Sequence, residues 1–179
     1  LVTILDGVRA VAGSNLQIEH APGVLLSKPD AAGRYPFNLP MRPASEPENQ
    51  ARIKEAIALA ARADIVLLVL GDNEQITRET TSRFTPGDRN SLELFGDQDA
   101  LVEAMISAGK PIIALVLSGR PLGISRLAER ANALVQGWYL GEQGGAAFAN
   151  ILFGQVNPSG KLSVSFPRSA GDLPVFYNR

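Results

Sequence analysis

The sequence contains no cysteine and one histidine among its 179 residues, and its longest unbroken apolar runs are six residues long. The lack of cysteine excludes disulfides and thiolate metal sites, although it fits any compartment. Apolar runs of this length are far shorter than the roughly 20 residues that a membrane-spanning helix requires. A formal net charge of -1 with mixed signs provides no basic stripe for a phosphate backbone. We therefore expect neither a membrane nor a nucleic acid as a partner.

Several short motifs of ligand and hydrolase chemistry are also absent. There is no G-x-G-x-x-G, no G-x-x-x-x-G-K-[ST] and no G-x-S-x-G in the chain, so nucleotide binding and a serine nucleophile elbow have no support. His20 lies far in sequence from any plausible serine partner, and we interpret it as structural. The scattered carboxylates lack the spacing of zinc or calcium sites. We expect no metal and no cofactor.

Three apolar segments without period-2 alternation indicate strands that are covered on both faces of a parallel sheet. They are "IVLLVL" after Asp64, "PIIALVLSG" at 111–119 and, more weakly, "ALVQGW" at 133–138. Helical patterns alternate with these strands over about residues 46–154. This alternation predicts the α/β class: an open, mostly parallel sheet with helices on both faces, as a three-layer α/β/α sandwich. The chain length predicts one domain over residues 1–179.

Further predictions concern the helices and the two ends of the chain. The helices are expected after a capping box formed by Ser45 and Glu48, after Asp97, and from about Glu142 to Phe153. Before residue 46, "GVRAVAG" predicts a short helix, "NLQIEHAPG" a strand, and residues 27–45, with four prolines, a loop. Near the end, "LSVSF" alternates as a strand does.

A long polar loop follows the first strong strand. The sequence "GDNEQITRETTSRFTPGDRNSLELFGDQ", residues 71–98, comes directly after "IVLLVL". Loops of this length without structure of their own are uncommon unless they are functional or disordered. In an open α/β sheet the ligand crevice lies outside the carboxyl ends of the strands. The loops "GDNEQITRE", "SGRPLG" and "YLGEQGG" meet that description, and we expect them at one edge of the sheet.

Six carboxylates in the polar loop are candidates for chemistry: Asp72, Glu74, Glu79, Asp88, Glu93 and Asp97. Asp72 is expected to hydrogen-bond loop backbone, and Glu93 and Asp97 to complement a helix start. The pair Asp88-Arg89 predicts a turn ion pair of small energetic value. Glu79 lies in the middle of the loop beside Arg78 with no helix end to explain it. Such a carboxyl suits acid/base work, while a solvated surface Glu is the commoner outcome.

The aromatic pair Trp138-Tyr139 at the end of the third strand has two interpretations. It could stack on a sugar face, or pack under a loop, which is the commoner role for an aromatic residue at such a position.

Several segments in order resemble one family. These are "LGDNEQITRE…GDRNSLELFGDQDALVEAM", "GKPIIALVLSGRPLGI" and "QGWYLGEQGGAAFANILFGQVNPSGKLSVSFPRSAGDLPVFYN". Together they resemble the C-terminal α/β sandwich domain of glycoside hydrolase family 3, the β-glucosidase and β-xylosidase family. The likeness runs from about residue 50 to the end and is weaker before it. A lone "GEQGG" would not be specific.

The resemblance implies a retaining β-glycosidase acting on terminal non-reducing β-linked sugars, with a β-glucosidase ahead of a β-xylosidase. Its N-terminal TIM-like barrel carries the catalytic Asp nucleophile, and this domain lends the general acid/base on a loop. That acid/base corresponds to Glu79, and Arg78 is then expected to bind substrate hydroxyls. The resemblance also implies that the barrel and the first strand of this domain precede Leu1. A periplasmic or secreted location is favoured over the cytoplasm, and a homo-oligomer stays open.

Two departures from the family pattern concern neighbouring positions. Most relatives have "GE" where this chain has Gly71-Asp72, and "PGEEGG" where it has "LGEQGG". Neither position is the acid/base. Two other classes also remain: a non-catalytic carbohydrate-binding or assembly domain of the same fold, and an unrelated doubly wound domain that binds a nucleotide or flavin.

We predict that the isolated 179-residue chain does not hydrolyse nitrophenyl β-glucoside or nitrophenyl β-xyloside, because the resemblance puts the nucleophile on another domain. The assay is release of nitrophenol, with far-ultraviolet circular dichroism to verify that the chain is folded. Turnover by the folded, purified chain would overturn this expectation.

Overall fold

The computed structural model describes residues 1–28, 46–77, 89, 91–176 and 178. Its elements, in chain order, are α1 (Ile4–Ala12), α2 (Glu46–Arg62), β1 (Val66–Gly71), α3 (Glu74–Thr77), α4 (Gln98–Ser107), β2 (Ile112–Leu117), α5 (Ser125–Arg130), β3 (Ala133–Gln136), α6 (Gly144–Leu152) and a 3-10 turn (Ala170–Asp172). Within the described ranges, no helix is long and apolar enough to span a bilayer.

The chain divides into two compact units. The smaller unit consists of Leu1–His20 and Tyr139–Val164, and contains α1 and α6. The larger unit consists of Ala21–Trp138 and Ser165–Arg179, and contains the sheet.

The sheet of the larger unit has the order β1-β2-β3, and both strand pairs are parallel. Val66 pairs with Ile112 at the start of β1, and Gly71 pairs with Leu117 at its end. The three predicted strands are therefore confirmed, as is the α/β class with an open parallel sheet. Ala114, Leu115 and Val116 in the middle of β2 are all 0% exposed. Burial on both faces explains why this segment is apolar throughout rather than alternating.

The main core lies on one face of the sheet. Alternate strand residues, among them Leu68, Leu70, Ala114 and Val116, form one apolar cluster with side chains of three helices. The helix residues in that cluster are Ile53, Ala56 and Ala60 of α2, Leu101, Val102 and Met105 of α4, and Leu127 of α5. These residues form the buried faces of α2 and α4, whereas Ile57 of α2 is 41% exposed.

Asn49, on α2, links three parts of the larger unit through its buried amide. Its Oδ1 accepts from the Leu25 backbone N–H (2.9 Å), and its Nδ2 donates to the Leu25 carbonyl (3.2 Å) and to Asp97 Oδ2 (2.7 Å). Asp97 is the N-cap residue of α4 but makes no side-chain capping hydrogen bond. The Asp97 carboxylate instead accepts from Asn49 and so links α4 to α2. The position of Asp97 at a helix start did not predict this role.

The smaller unit is built on a close approach of α1 and α6. A Cβ atom placed on Gly7 would lie 2.2 Å from the Gly145 carbonyl oxygen, and one placed on Gly145 would lie 2.0 Å from the Thr3 carbonyl oxygen. Backbone hydrogen bonds from Val2 to Glu142 (2.9 Å) and from Gly145 to Val2 (3.2 Å) join the same segments. Only glycine allows the two backbones to come this close.

Two strand predictions are wrong. The segments "NLQIEHAPG" and "LSVSF" form no strand. Leu162 and Val164 are 58% and 47% exposed, so these two side chains cover no core. A strand needs a hydrogen-bonded neighbour as well as an alternating pattern. The short helix at "GVRAVAG" is confirmed within α1, whereas the capping box at Ser45 lies outside the described residues.

We predict that Gly7→Ala lowers the free energy of unfolding by about 2 kcal/mol or more, since the added methyl overlaps the backbone of α6. The measurement is urea unfolding followed by circular dichroism. Gly141→Ala is the matched control, because a Cβ there meets no atom within 4 Å. Equal stability of the two variants would contradict the close-approach interpretation.

Candidate functional site

The carboxyl ends of the three parallel strands meet at one edge of the sheet. We call this the carboxyl edge and define it as residues 71–73, 118–121 and 136–138. The Asp72 backbone N–H donates to the Leu117 carbonyl (2.9 Å), and the Gly137 N–H donates to the Val116 carbonyl (2.8 Å). The loops "GDN" and "SGRP" therefore lie together, as predicted. The third loop begins here, and its residues 139–145 belong to the smaller unit.

Gln98 clamps the end of β1. Its Nε2 donates to the carbonyl oxygens of Gly71 (2.8 Å) and Phe95 (2.9 Å), and its Oε1 accepts from the Gly71 backbone N–H (2.8 Å). The side chain is 2% exposed. Gly71 has φ 138°, and a Cβ on it would lie 1.8 Å from the Leu117 carbonyl oxygen. Sequence reasoning missed Gln98, because a polar residue in the first turn of a helix is usual and carries no signal of its own.

A polar relay fixes the loop after β2. Gln136 Nε2 donates to Ser118 Oγ (3.0 Å), which donates to the Arg120 carbonyl (2.8 Å). Ser118 is 0% exposed. Hydrogen bonds between buried groups of this kind hold a loop in one arrangement, since breaking any of them leaves a buried polar atom unsatisfied.

The short helix α3 follows β1 in the chain and is hydrogen-bonded to the loop after β2. Asn73 Oδ1 accepts from the Ile76 N–H (3.2 Å), and the Asn73 carbonyl accepts from Thr77 Oγ1 (3.0 Å). Arg120 Nη2 then donates to the Thr77 carbonyl oxygen (2.6 Å). Thr77 is therefore held both by its own helix and by a guanidinium from the neighbouring loop.

Arg89 lies against the same edge. Its Nη2 donates to the Glu93 carbonyl (2.9 Å), and its guanidinium carbon lies 5.3 Å from the centroid of the Phe95 ring. Burial of the guanidinium, and next the positive charge of Arg120, lower the pKa of Arg89, while the charges of Asp72 and Glu93 oppose that shift. Two guanidinium groups and a carboxylate of residue 72, which is 8% exposed, thus form one charged cluster.

The predicted site residues are only partly placed. Arg78, Glu79 and Asp88 lie outside the described residues, so their roles, and the turn ion pair of Asp88 with Arg89, stay predictions. Glu93 is exposed, and its carboxylate accepts from Ser91 Oγ. His20 is also exposed. In the part of the chain that the structure describes, no group of three or more His, Cys, Asp or Glu residues could hold a metal ion.

Trp138 packs rather than standing free at the strand end. Its ring centroid lies 5.9 Å from that of Phe166, with the ring planes tilted by 53°. Its φ of 55° turns the chain away from the strand direction two residues after β3 ends at Gln136. Trp138 is thus partly buried against Phe166, while Tyr139 is 52% exposed.

Comparison with known proteins identifies the family. The model of the glycosyl hydrolase family 3 C-terminal domain matches residues 1–179. The chain belongs to this family. It is 34% identical to a periplasmic β-glucosidase of Salmonella typhimurium, over 99% of this chain and 22% of that protein. It is 37% identical to a β-xylosidase of Formosa agariphila, over 98% of this chain and 21% of that protein.

Solved structures of family relatives agree with the fold. A β-glucosidase from Erythrobacter marinus superposes with a TM-score of 0.88 and 38% identity, over 98% of this chain and 24% of that one. A β-glucosidase from Listeria innocua in complex with glucose superposes with a TM-score of 0.63 and 34% identity, over 76% of this chain and 18% of that one. The chain therefore spans about a fifth to a quarter of the length of these relatives.

We predict that Gln98→Ala lowers the free energy of unfolding by about 3 kcal/mol, because it leaves buried backbone groups of Gly71 and Phe95 unsatisfied. Ser107→Ala, at the exposed end of the same helix, is the control and should change stability by less than about 0.5 kcal/mol. Urea unfolding measures both, and similar small losses would show that the clamp does not stabilise the edge.

Proposed function

We propose that this domain is part of a retaining β-glycosidase that removes terminal non-reducing β-linked sugars, with β-glucosidase activity ahead of β-xylosidase activity. The observation that carries this proposal is the family match over residues 1–179. The first relatives are a β-glucosidase and a β-xylosidase, each aligned over nearly the whole of this chain.

Glu79 is the general acid/base of the proposed enzyme, and Arg78 contacts substrate hydroxyls. The support comes from the two ends of the loop. Thr77 accepts a hydrogen bond from Arg120 of the carboxyl edge, and the charges of Arg120 and Asp72 act on Arg89. This edge is where open α/β sheets bind ligands. Positions 78–88 are therefore flanked on both sides by residues that contact this edge. They carry the only Glu that corresponds to the acid/base of the family motif.

The chemistry follows from two carboxyl groups about 5 to 5.5 Å apart. The barrel carboxylate attacks the anomeric carbon as the bond to the leaving oxygen breaks, and Glu79 transfers its proton to that oxygen. A glycosyl ester of the barrel carboxylate results. Glu79, now ionised, removes a proton from water as the water attacks the same carbon, which frees the sugar and restores both carboxyl groups.

Residues 1–179 act as one functional domain in this proposal, because a single family model covers both compact units. Its partner is a TIM-like barrel domain of the same enzyme, which is consistent with relatives that are four to five times longer than this chain. A periplasmic or secreted location is supported by the periplasmic relative of Salmonella typhimurium.

We predict that Glu79→Ala in the complete enzyme slows hydrolysis of substrates with poor leaving groups by roughly 10² to 10⁴, the usual share of general acid catalysis. Glycosylation by an activated aryl glycoside, which needs little protonation, should be spared. Hydrolysis of the glycosyl intermediate should then be slow, because no base is left to activate water. Added azide should accelerate turnover by attacking this intermediate without needing a base.

Steady-state kinetics with a series of aryl glycosides, with and without azide, measures these effects. Glu74→Ala and Asp88→Ala serve as controls, since both remove a carboxyl group from the same loop region. Near-normal rates for Glu79→Ala together with azide rescue in either control would move the acid/base to that neighbour.

A further inference from the structure

Arg120 reaches from the loop after β2 to the point where the segment with Glu79 begins. Its Nη2 lies 2.6 Å from the Thr77 carbonyl oxygen. That oxygen belongs to the peptide group that joins Thr77 to Arg78. Because a peptide group is planar and rigid, a hydrogen bond to its oxygen fixes the plane from which the chain continues. Glu79 is two residues further along the sequence.

The backbone of Arg120 is itself held by Ser118, which directly follows β2, and through it by Gln136 of β3. Ser118 Oγ donates to the Arg120 carbonyl (2.8 Å) and accepts from Gln136 Nε2 (3.0 Å). Pro121 follows directly and restricts the backbone of residue 120 further. The guanidinium therefore extends from a fixed base, and it can hold the Thr77 peptide rather than follow it.

Arg89, which follows position 88 in the chain, lies near Arg120 and Asp72. The Arg89 guanidinium donates to the Glu93 carbonyl (2.9 Å) and lies over the Phe95 ring. It is close enough to Arg120 and Asp72 for both charges to act on it. The buried carboxylate of Asp72 offsets the repulsion between the two cations, so Thr77 and Arg89, which flank positions 78–88, both meet this charged cluster.

We propose that Arg120 is a positioning residue that orients Glu79 for proton transfer by holding the Thr77–Arg78 peptide. This inference rests on the proposed function, in which Glu79 is the acid/base. Arg120 itself touches neither substrate nor reacting atoms in this proposal. Its effect passes through the direction of the chain at Thr77, and a displacement of about 1 Å in a catalytic group costs up to about 10²-fold in rate.

A double-mutant cycle in the complete enzyme tests the proposal. Its members are wild type, Arg120→Met, Glu79→Ala and the double variant, each assayed by kcat/KM on one aryl glycoside with a poor leaving group and one with an activated leaving group. Because kcat/KM reports the step up to glycosylation, it isolates the acid role. Residues that act through one another are non-additive in such a cycle.

Arg120→Met should lower kcat/KM about 10- to 100-fold for the poor leaving group and less than about 3-fold for the activated one. In the Glu79→Ala background the same substitution should have little further effect, since the group it positions is gone. Arg126→Met is the control, because Arg126 is exposed and pairs with Glu103 on the surface. It should leave both substrates unchanged.

Equal losses on both substrates, or losses that multiply in the double variant, would overturn the role of Arg120 while leaving Glu79 as the acid/base. Normal rates for Glu79→Ala alone would instead overturn the proposed function. If Arg120→Met does not fold, Arg120→Lys replaces it. A lysine keeps the charge but not the planar fork of donors, and an intermediate loss confined to the poor leaving group supports the proposal, whereas a uniform loss contradicts it.

Discussion

The three hydrogen bonds of Gln98 are the contact on which the carboxyl edge depends. They engage both backbone groups of Gly71 and the carbonyl of Phe95, in a position that is 2% exposed. Gly71 is the last residue of β1, and its φ of 138° leaves the backbone close against Leu117. The direction in which the polar loop leaves the sheet is therefore set by the first turn of α4, which is the helix that follows the loop.

From this point the polar contacts of the edge form a connected set. Asn73 caps the short helix α3, Thr77 ends it, and Arg120 holds the Thr77 carbonyl from the loop after β2. The relay of Gln136 and Ser118 fixes that second loop in turn. Each of these groups is buried or partly buried, so each bond is costly to lose. In the proposed function this loop delivers the Glu79 carboxyl group to the reacting bond, and that task requires rigid ends of this kind.

Much of the fold followed from the sequence, because its signals are local. The unbroken apolar runs at β1 and β2 predicted buried parallel strands, and the helix after Asp97 followed from its periodicity and its terminal Gly109. The alternating segment at Leu162 and Val164 was wrongly predicted to be a strand. Strand pairing depends on a hydrogen-bonded neighbour, which no local pattern reveals. The contacts of Asn49 with Leu25, of Gln98 with Gly71 and of Arg120 with Thr77 were also beyond sequence reasoning, because each joins residues at least 24 positions apart. The assignment of Glu79 came from a family motif rather than from its surroundings.

The central claim is that Glu79 is the group whose proton reaches the leaving oxygen, and the dependence of kcat/KM on pH tests it most directly. In the complete enzyme the alkaline limb of that profile should report ionisation of the general acid, and the acidic limb should report protonation of the nucleophile. Glu79→Gln keeps the size of the side chain but removes the titrating proton. The account predicts that this variant loses the alkaline limb and retains the acidic one. An alkaline limb that persists unchanged in Glu79→Gln would contradict it.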